Sequence, residues 1–159
     1  RLIFIGIRKD LNKLPEYPTP SKELITFREA CHDLKGNNVD DRILPSILNE
    51  IAKYQPQKWN TDTKIYKSIK GNTAGSFSLK WIQWDKVCGT LPRAEVSLTG
   101  LIHPDRERYI SLVEAKRIST FPNNFKFTDR DNGIKRIGNA VPPLFMQAIA
   151  EKVKQQLGW

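Results

Sequence analysis

The 159-residue chain carries 26 Lys and Arg against 17 Asp and Glu, a net charge of +9, with 39% hydrophobic residues. That length suits one ordinary domain, or a small domain with part of another. No apolar run approaches the ~20 residues that span a bilayer, and Cys31 and Cys88 have no C-x-x-C spacing, so both read as reduced, buried thiols of an intracellular protein.

Leu2-Ile-Phe-Ile-Gly-Ile-Arg8 reads as a buried strand whose sheet partners lie outside this sequence, and a start at Arg1 places further chain upstream. Leu14-Pro-Glu-Tyr-Pro-Thr-Pro20 then crosses a surface in extended form. Thr26-Phe-Arg-Glu29 has the capping-box spacing and predicts a short helix to about Leu34. A second amphipathic stretch, Ile43, Ile47, Leu48 and Ile51, ends near Pro56. Residues 57–100 are irregular, with the strand-like run Ser76–Trp81. Gly71–Ser76 is a flexible loop and not a phosphate loop, because no Gly-Lys-Ser/Thr follows. Ser111-Leu-Val-Glu114 is another capping box, starting a helix to about Ser119 that stops before Phe121-Pro122. In Ile134-Lys-Arg-Ile-Gly-Asn-Ala-Val-Pro-Pro143, Gly138 and Asn139 interrupt an apolar run before a helix over Leu144–Leu157. The stretch predicts a tight turn into a helix start, where exposed backbone N–H groups can meet a polar ligand.

The charge is unevenly placed. Residues 1–52 balance, residues 53–93 carry eight basic side chains against Asp62 and Asp85, and residues 94–159 contribute only +3. The basic segment also holds Tyr54, Trp59, Tyr66, Phe77, Trp81 and Trp84. Cations interleaved with aromatics suit a phosphate-neutralising surface, the alternative being a solvated basic face over an aromatic core. Lys64, Lys67, Lys70, Lys80 and Lys86 are its generic phosphate candidates, while Trp81 and Trp84, three apart, read as core. His32 and His103 have no metal-spaced partners, so no metal site is expected, and His103 reads as structural in a turn before Pro104.

Several stretches together resemble the C-terminal part of the bacterial cytosine-5 DNA methyltransferases. Arg1-Leu-Ile-Phe-Ile-Gly-Ile-Arg8 is similar to the end of that family's eighth motif, Arg108 to Phe125 to its ninth, and Ile137-Gly-Asn-Ala-Val-Pro-Pro143 to its tenth. Trp84-Asp-Lys-Val-Cys-Gly-Thr-Leu91 resembles the Thr-Leu element of the target-recognition region, and Ile102-His-Pro104 a lead-in to the ninth motif. The match is strong at both ends and weak between. Val113 stands where the ninth motif usually has arginine, and Ser119 where it usually has glutamine. The family's nucleophilic Pro-Cys, its glycine-rich cofactor loop and its Glu-Asn-Val motif do not occur in this sequence.

The resemblance implies an α+β fold: a small target-recognition domain with the terminal strand and C-terminal helix of a Rossmann-like methyltransferase sheet. Residues 1–20 would end the catalytic domain, 21–108 form the recognition region, 109–127 the ninth-motif helix and exit loop, and 128–159 return to the catalytic domain. It implies S-adenosylmethionine as cofactor, double-stranded DNA and a missing N-terminal catalytic part as partners, and a bacterial cytoplasmic setting at the nucleoid, with no membrane. Arg1 would contact the flipped cytosine, Asn139 and Ala140 the cofactor, and Thr90 the DNA backbone. The chain alone would be inactive. A naturally separate specificity subunit and a fragment of an RNA cytosine-5 methyltransferase are the alternatives.

Overall fold

The computed structural model describes residues 2–34, 80–93, 100–105 and 108–158. Their centre is an apolar core of Phe27, Cys31, Ile82, Leu101, Ile110, Ala115, Ile134 and Ile137, drawn from every described part of the chain except its first residues and last helix.

Helix α1, Phe27–Cys31, starts at the expected capping box: Thr26 accepts from the Glu29 N–H, and the Glu29 carboxylate accepts from the Thr26 N–H at 2.7 Å. Two of its first N–H groups find carbonyls outside the helix, Phe27 donating to Lys86 at 2.9 Å and Arg28 to Trp84 at 2.8 Å. The 84–86 segment therefore substitutes for a missing helical turn. Strands β1, Lys80–Trp81, and β2, Leu101–Ile102, pair in parallel, with Lys80 opposite Leu101 and Trp81 opposite Ile102. After a turn the chain comes back beside β2, where Ile102 bridges Tyr109 and Ile110 donates to Leu101 at 3.0 Å. The pairing places Ile82, Leu101 and Ile110 in the core.

Helix α2, Leu112–Ile118, begins at the second capping box, Ser111 and Glu114. It lies against α1 and against α3, Arg130–Asn139, whose N-cap is Asp129. The α2–α3 approach is close enough that a Cβ on Gly133 would sit 2.4 Å from Leu112 Cδ1. Between these helices, Phe121, Phe125 and Phe127 form a cluster with ring centroids 5.0–5.8 Å apart. Lys116 donates to the Asn123 carbonyl at 2.7 Å and the Phe125 carbonyl at 3.1 Å, closing the exit loop over that cluster.

The final helix, α4, Pro143–Leu157, has Pro143 at its first position, where proline's missing N–H has no helical partner to lose. Thr120, in the left-handed region at φ 60, accepts the free N–H of Leu144 at 3.1 Å. The C-terminus closes on Gly158 at φ 79. Only Ile149 of α4 is buried, and Leu144, Phe145 and Met146 are exposed. The Pro-rich connection runs along its far end, with Leu14 accepting from Gln156 at 3.0 Å and Glu16 paired to Lys152 at 2.8 Å.

Two expectations change. Residues 2–8 are extended but pair with no described strand; Ile3, Ile5 and Ile7 are half-buried while Leu2 and Phe4 are 78% and 83% exposed. An edge needs a neighbour before a ladder forms, and none is supplied. Gly138 and Asn139 do not interrupt the apolar run: they are the last residues of α3, and the turn is confined to Ala140–Pro142. The amphipathic stretch at 43–56, the Gly71–Ser76 loop and most of the Ser76–Trp81 run lie outside the described residues.

Candidate functional site

The end of α3 is held against the segment carrying Thr90. A Cβ on Gly138 would stand 2.4 Å from the Pro92 carbonyl oxygen and 2.8 Å from Arg93 Cα, so glycine is what lets that backbone cross the helix. Beyond it, Ala140 caps α3 by donating its N–H to Ile137 at 3.0 Å. This leaves Ala140 its carbonyl and methyl to present. The crossing creates a groove of about 360 Å³, lined by Ile3, Thr90, Ser119, Ala140, Pro142 and Phe145 among others. Residues far apart in the chain thus share one wall.

The structure brings some expected site residues together and leaves others apart. Thr90 and Ala140 line the groove, with Thr90 exposed. Asn139 is exposed at the end of α3 beside the groove. Lys86 is exposed one turn before Thr90, its carbonyl fixed by Phe27. Lys80 lies in β1, described for its backbone only. Arg1, Lys64, Lys67 and Lys70 lie outside the described residues.

At the start of α2 is a buried ionic frame that the sequence motifs hide. Glu114, 2% exposed, receives Arg108 through both oxygens at 2.9 Å, the Ser111 N–H at 2.7 Å, and His103 Nε2 at 3.2 Å. Burial opposes the carboxylate charge, but the hydrogen bonds from Arg108, His103 and Ser111 outweigh it and hold the carboxyl well below the usual range. His103, 5% exposed, places its ring edge-on to Trp84 at 5.2 Å and to Phe27 at 5.6 Å. Outside this frame, Arg28 pairs with Asp85 at 2.7 Å and lies 5.3 Å from the Trp84 ring centre. Arg117 ties α2 to the end of α1 through Asp33 and the Ala30 carbonyl.

A second groove, of about 650 Å³, runs between Phe27, Val87, Cys88, Thr120, Phe121 and Leu144. Cys88 on its wall and Cys31 behind it are free thiols. Burial pushes both up to about 12, helped at Cys31 by the nearby Glu114 charge. Burial thus favours the neutral thiol at both positions.

Helices α1–α3 around a short strand pair, with a terminal helix and an extended N-terminal segment meeting at one groove, make an α+β unit. The family model for C-5 cytosine-specific DNA methylases matches residues 1–155, and the chain belongs to that family. It is 28% identical to the type II methyltransferase M.BspRI of Lysinibacillus sphaericus, over 98% of this chain and 39% of that protein. It is 28% identical to M.FnuDI of Fusobacterium nucleatum, over 99% of this chain and 50% of that protein. With DNA (cytosine-5)-methyltransferase 3 of Arabidopsis thaliana it shares 31% identity, over 77% of this chain and 8% of that protein. The chain spans about half, or less, of the length of the curated relatives it matches. No helix among the described residues is long and apolar enough to cross a membrane.

Proposed function

We propose that this chain is the target-recognition part and the closing edge of the cofactor and cytosine site of a DNA cytosine-5 methyltransferase, with the rest of the catalytic machinery outside the sequence. The observation that carries this reading is the shared groove, in which Ile3, Thr90, Ser119 and the Gly138–Pro142 turn meet. Each belongs to a different motif of the resemblance, and their meeting at one place supports a site that serves both DNA and cofactor.

The residues divide the work. Thr90 offers an exposed hydroxyl to a backbone phosphate oxygen, next to Lys86 on the same segment. The basic residues of 53–93, Lys64, Lys67, Lys70 and Lys80 with them, neutralise further phosphates and give the binding its salt dependence. The end of α3 fits S-adenosylmethionine: Asn139 has an exposed amide engaged by no described side chain, suited to a charged amino-acid end, beside the apolar wall of Ala140, Val141 and Pro142. S-Adenosylmethionine, when bound, supplies the methyl group for carbon 5 of cytosine. Arg1 donates to the carbonyl oxygen of the cytosine once it has left the stack. The regions of the chain are then as the resemblance divides them, 1–20 and 128–159 belonging with the catalytic domain and 21–108 with recognition. Alone, the chain transfers no methyl group, because the Pro-Cys nucleophile and the glycine-rich cofactor loop do not occur in this sequence.

The test is a graft. Residues 53–100 placed in a related methyltransferase move the methylated DNA sequence while methyl transfer continues. An active graft with an unchanged target sequence overturns the assignment of recognition to this segment.

A further inference from the structure

The ionic frame at the start of α2 contains one residue with no part in the proposed function, His103. His103 Nδ1 lies 2.7 Å from Asp105 Oδ2, and its Nε2 lies 3.2 Å from Glu114 Oε1. An imidazole with a carboxylate oxygen on each nitrogen satisfies both only by carrying a proton on each. The Asp105 N–H also points at Nδ1, at 3.2 Å. The shorter carboxylate contact decides the proton, since a bare nitrogen 2.7 Å from an anionic oxygen is repelled. We propose that His103, held as an imidazolium between Asp105 and Glu114, is a positioning residue that locks the 82–86 segment onto α1 and α2 and thereby sets where Lys86 and Thr90 stand.

The mechanical link is on its two faces. The ring abuts Trp84, whose carbonyl accepts the Arg28 N–H, and Phe27, whose N–H meets the Lys86 carbonyl. Among the described residues, the charged and titratable groups facing the ring are Asp105 and Arg108 from the turn and Glu114 from α2. From α1 come only the Cys31 thiol, which stays neutral, and Arg28, paired with Asp85 beyond Trp84. Burial opposes the charge, and the two carboxylates overcome it and raise the pKa. The direction gives the sign. A folded-state pKa above the unfolded value makes the lock complete below about pH 6.5, and it loosens as pH rises through the folded value. What the locked segment does rests on the proposed DNA role, whereas the lock is measured without DNA.

The 159-residue chain has only two histidines, His32 and His103, and His32 is exposed. Nitrogen-15 NMR of the imidazoles across pH 5–9, with amide exchange read in parallel, separates them. His103 is expected to keep both ring protons to higher pH than an ordinary imidazole does. Protection of the Phe27 and Arg28 amides, corrected for intrinsic exchange, is expected to fall at least tenfold as His103 titrates, while that of Ile137 in α3 stays level. In His103→Gln the same two amides are weakly protected at every pH. If that variant fails to fold, the wild-type titration alone decides. A His103 that titrates at or below the ordinary imidazole value, or Phe27 and Arg28 protection that ignores its titration, overturns the proposal.

Discussion

Replacing Glu114 by Gln removes one charge and changes almost no volume, yet the geometry makes it a severe substitution. Each carboxylate oxygen holds two donors: Oε2 takes Arg108 and the Ser111 N–H, and Oε1 takes Arg108 and His103. A glutamine must place an NH2 on one side, so whichever way it turns, two acceptor contacts become donor against donor. The Arg108 side chain is only 10% exposed and loses its nearer counter-charge, keeping only the longer contact to Asp105 at 3.4 Å among those to carboxylates of the described residues. Breaking a buried pair in this way costs about 3–5 kcal/mol, out of the roughly 5–15 kcal/mol that stabilises a domain. For a chain of this size that lowers the thermal midpoint by roughly 6–20 °C. The assay is urea unfolding of wild type and variant, read as a shift in midpoint at constant slope. Glu29→Gln is the matched control, since it stands in the same capping-box geometry at an exposed position, and glutamine serves that motif too. It is expected to leave the midpoint nearly unmoved. A Glu114→Gln shift no larger than that of Glu29→Gln would refute the accounting of donors.

Three further outcomes follow from the same coordinates. Gly138→Ala gains helix propensity of about 1 kcal/mol but drives a methyl into the Pro92 backbone, which overpacking makes worth about 1–3 kcal/mol against it; net destabilisation with weaker DNA binding is expected by calorimetry and titration, and a stabilised variant would show that the 92–93 segment yields freely. The Glu114 carboxyl is held below its unfolded value by Arg108, His103 and Ser111, so its contribution is complete above about pH 4.3 and is lost as pH falls below that; acid titration followed by circular dichroism should show wild type losing this stability while Glu114→Gln, lacking the group, shows a shallower loss. Asn139→Leu, made in the complete enzyme, is expected to weaken S-adenosylmethionine roughly tenfold, as loss of one polar partner predicts, with duplex DNA affinity unchanged; equilibrium titration of each ligand separates the two.

Local signals were the legible ones. Both capping boxes announce their helices within one residue at the start, because the cap and its glutamate are neighbours in sequence and need nothing from elsewhere. Pro143 marks the start of α4 for the same reason. Helix α3 misleads, since Gly133 and Gly138 each lower helix propensity and look like breaks. Their presence is explained only by what approaches them, Leu112 on one side and the Pro92 backbone on the other. The apolar run of residues 2–7 has one half-buried and one exposed face, and the ladder it implies finds no partner strand among the described residues.

The site divides along the same line. Thr90 and Ala140 could be named from motifs, but that they share a groove follows from the Gly138 crossing, which no spacing reveals. His103, Arg108 and Glu114 all stand within the quoted motifs, yet their convergence depends on the turn after β2 returning Arg108 to the strand. That convergence uses nothing from Val113, which stands where the resemblance expects arginine. The Glu114 carboxylate already binds four donors, two through each oxygen, from Arg108, Ser111 and His103. The charge that orders the ninth motif comes from the turn and not from the helix. An added guanidinium at 113 would find this carboxylate occupied, so the frame under the recognition segment is complete without it.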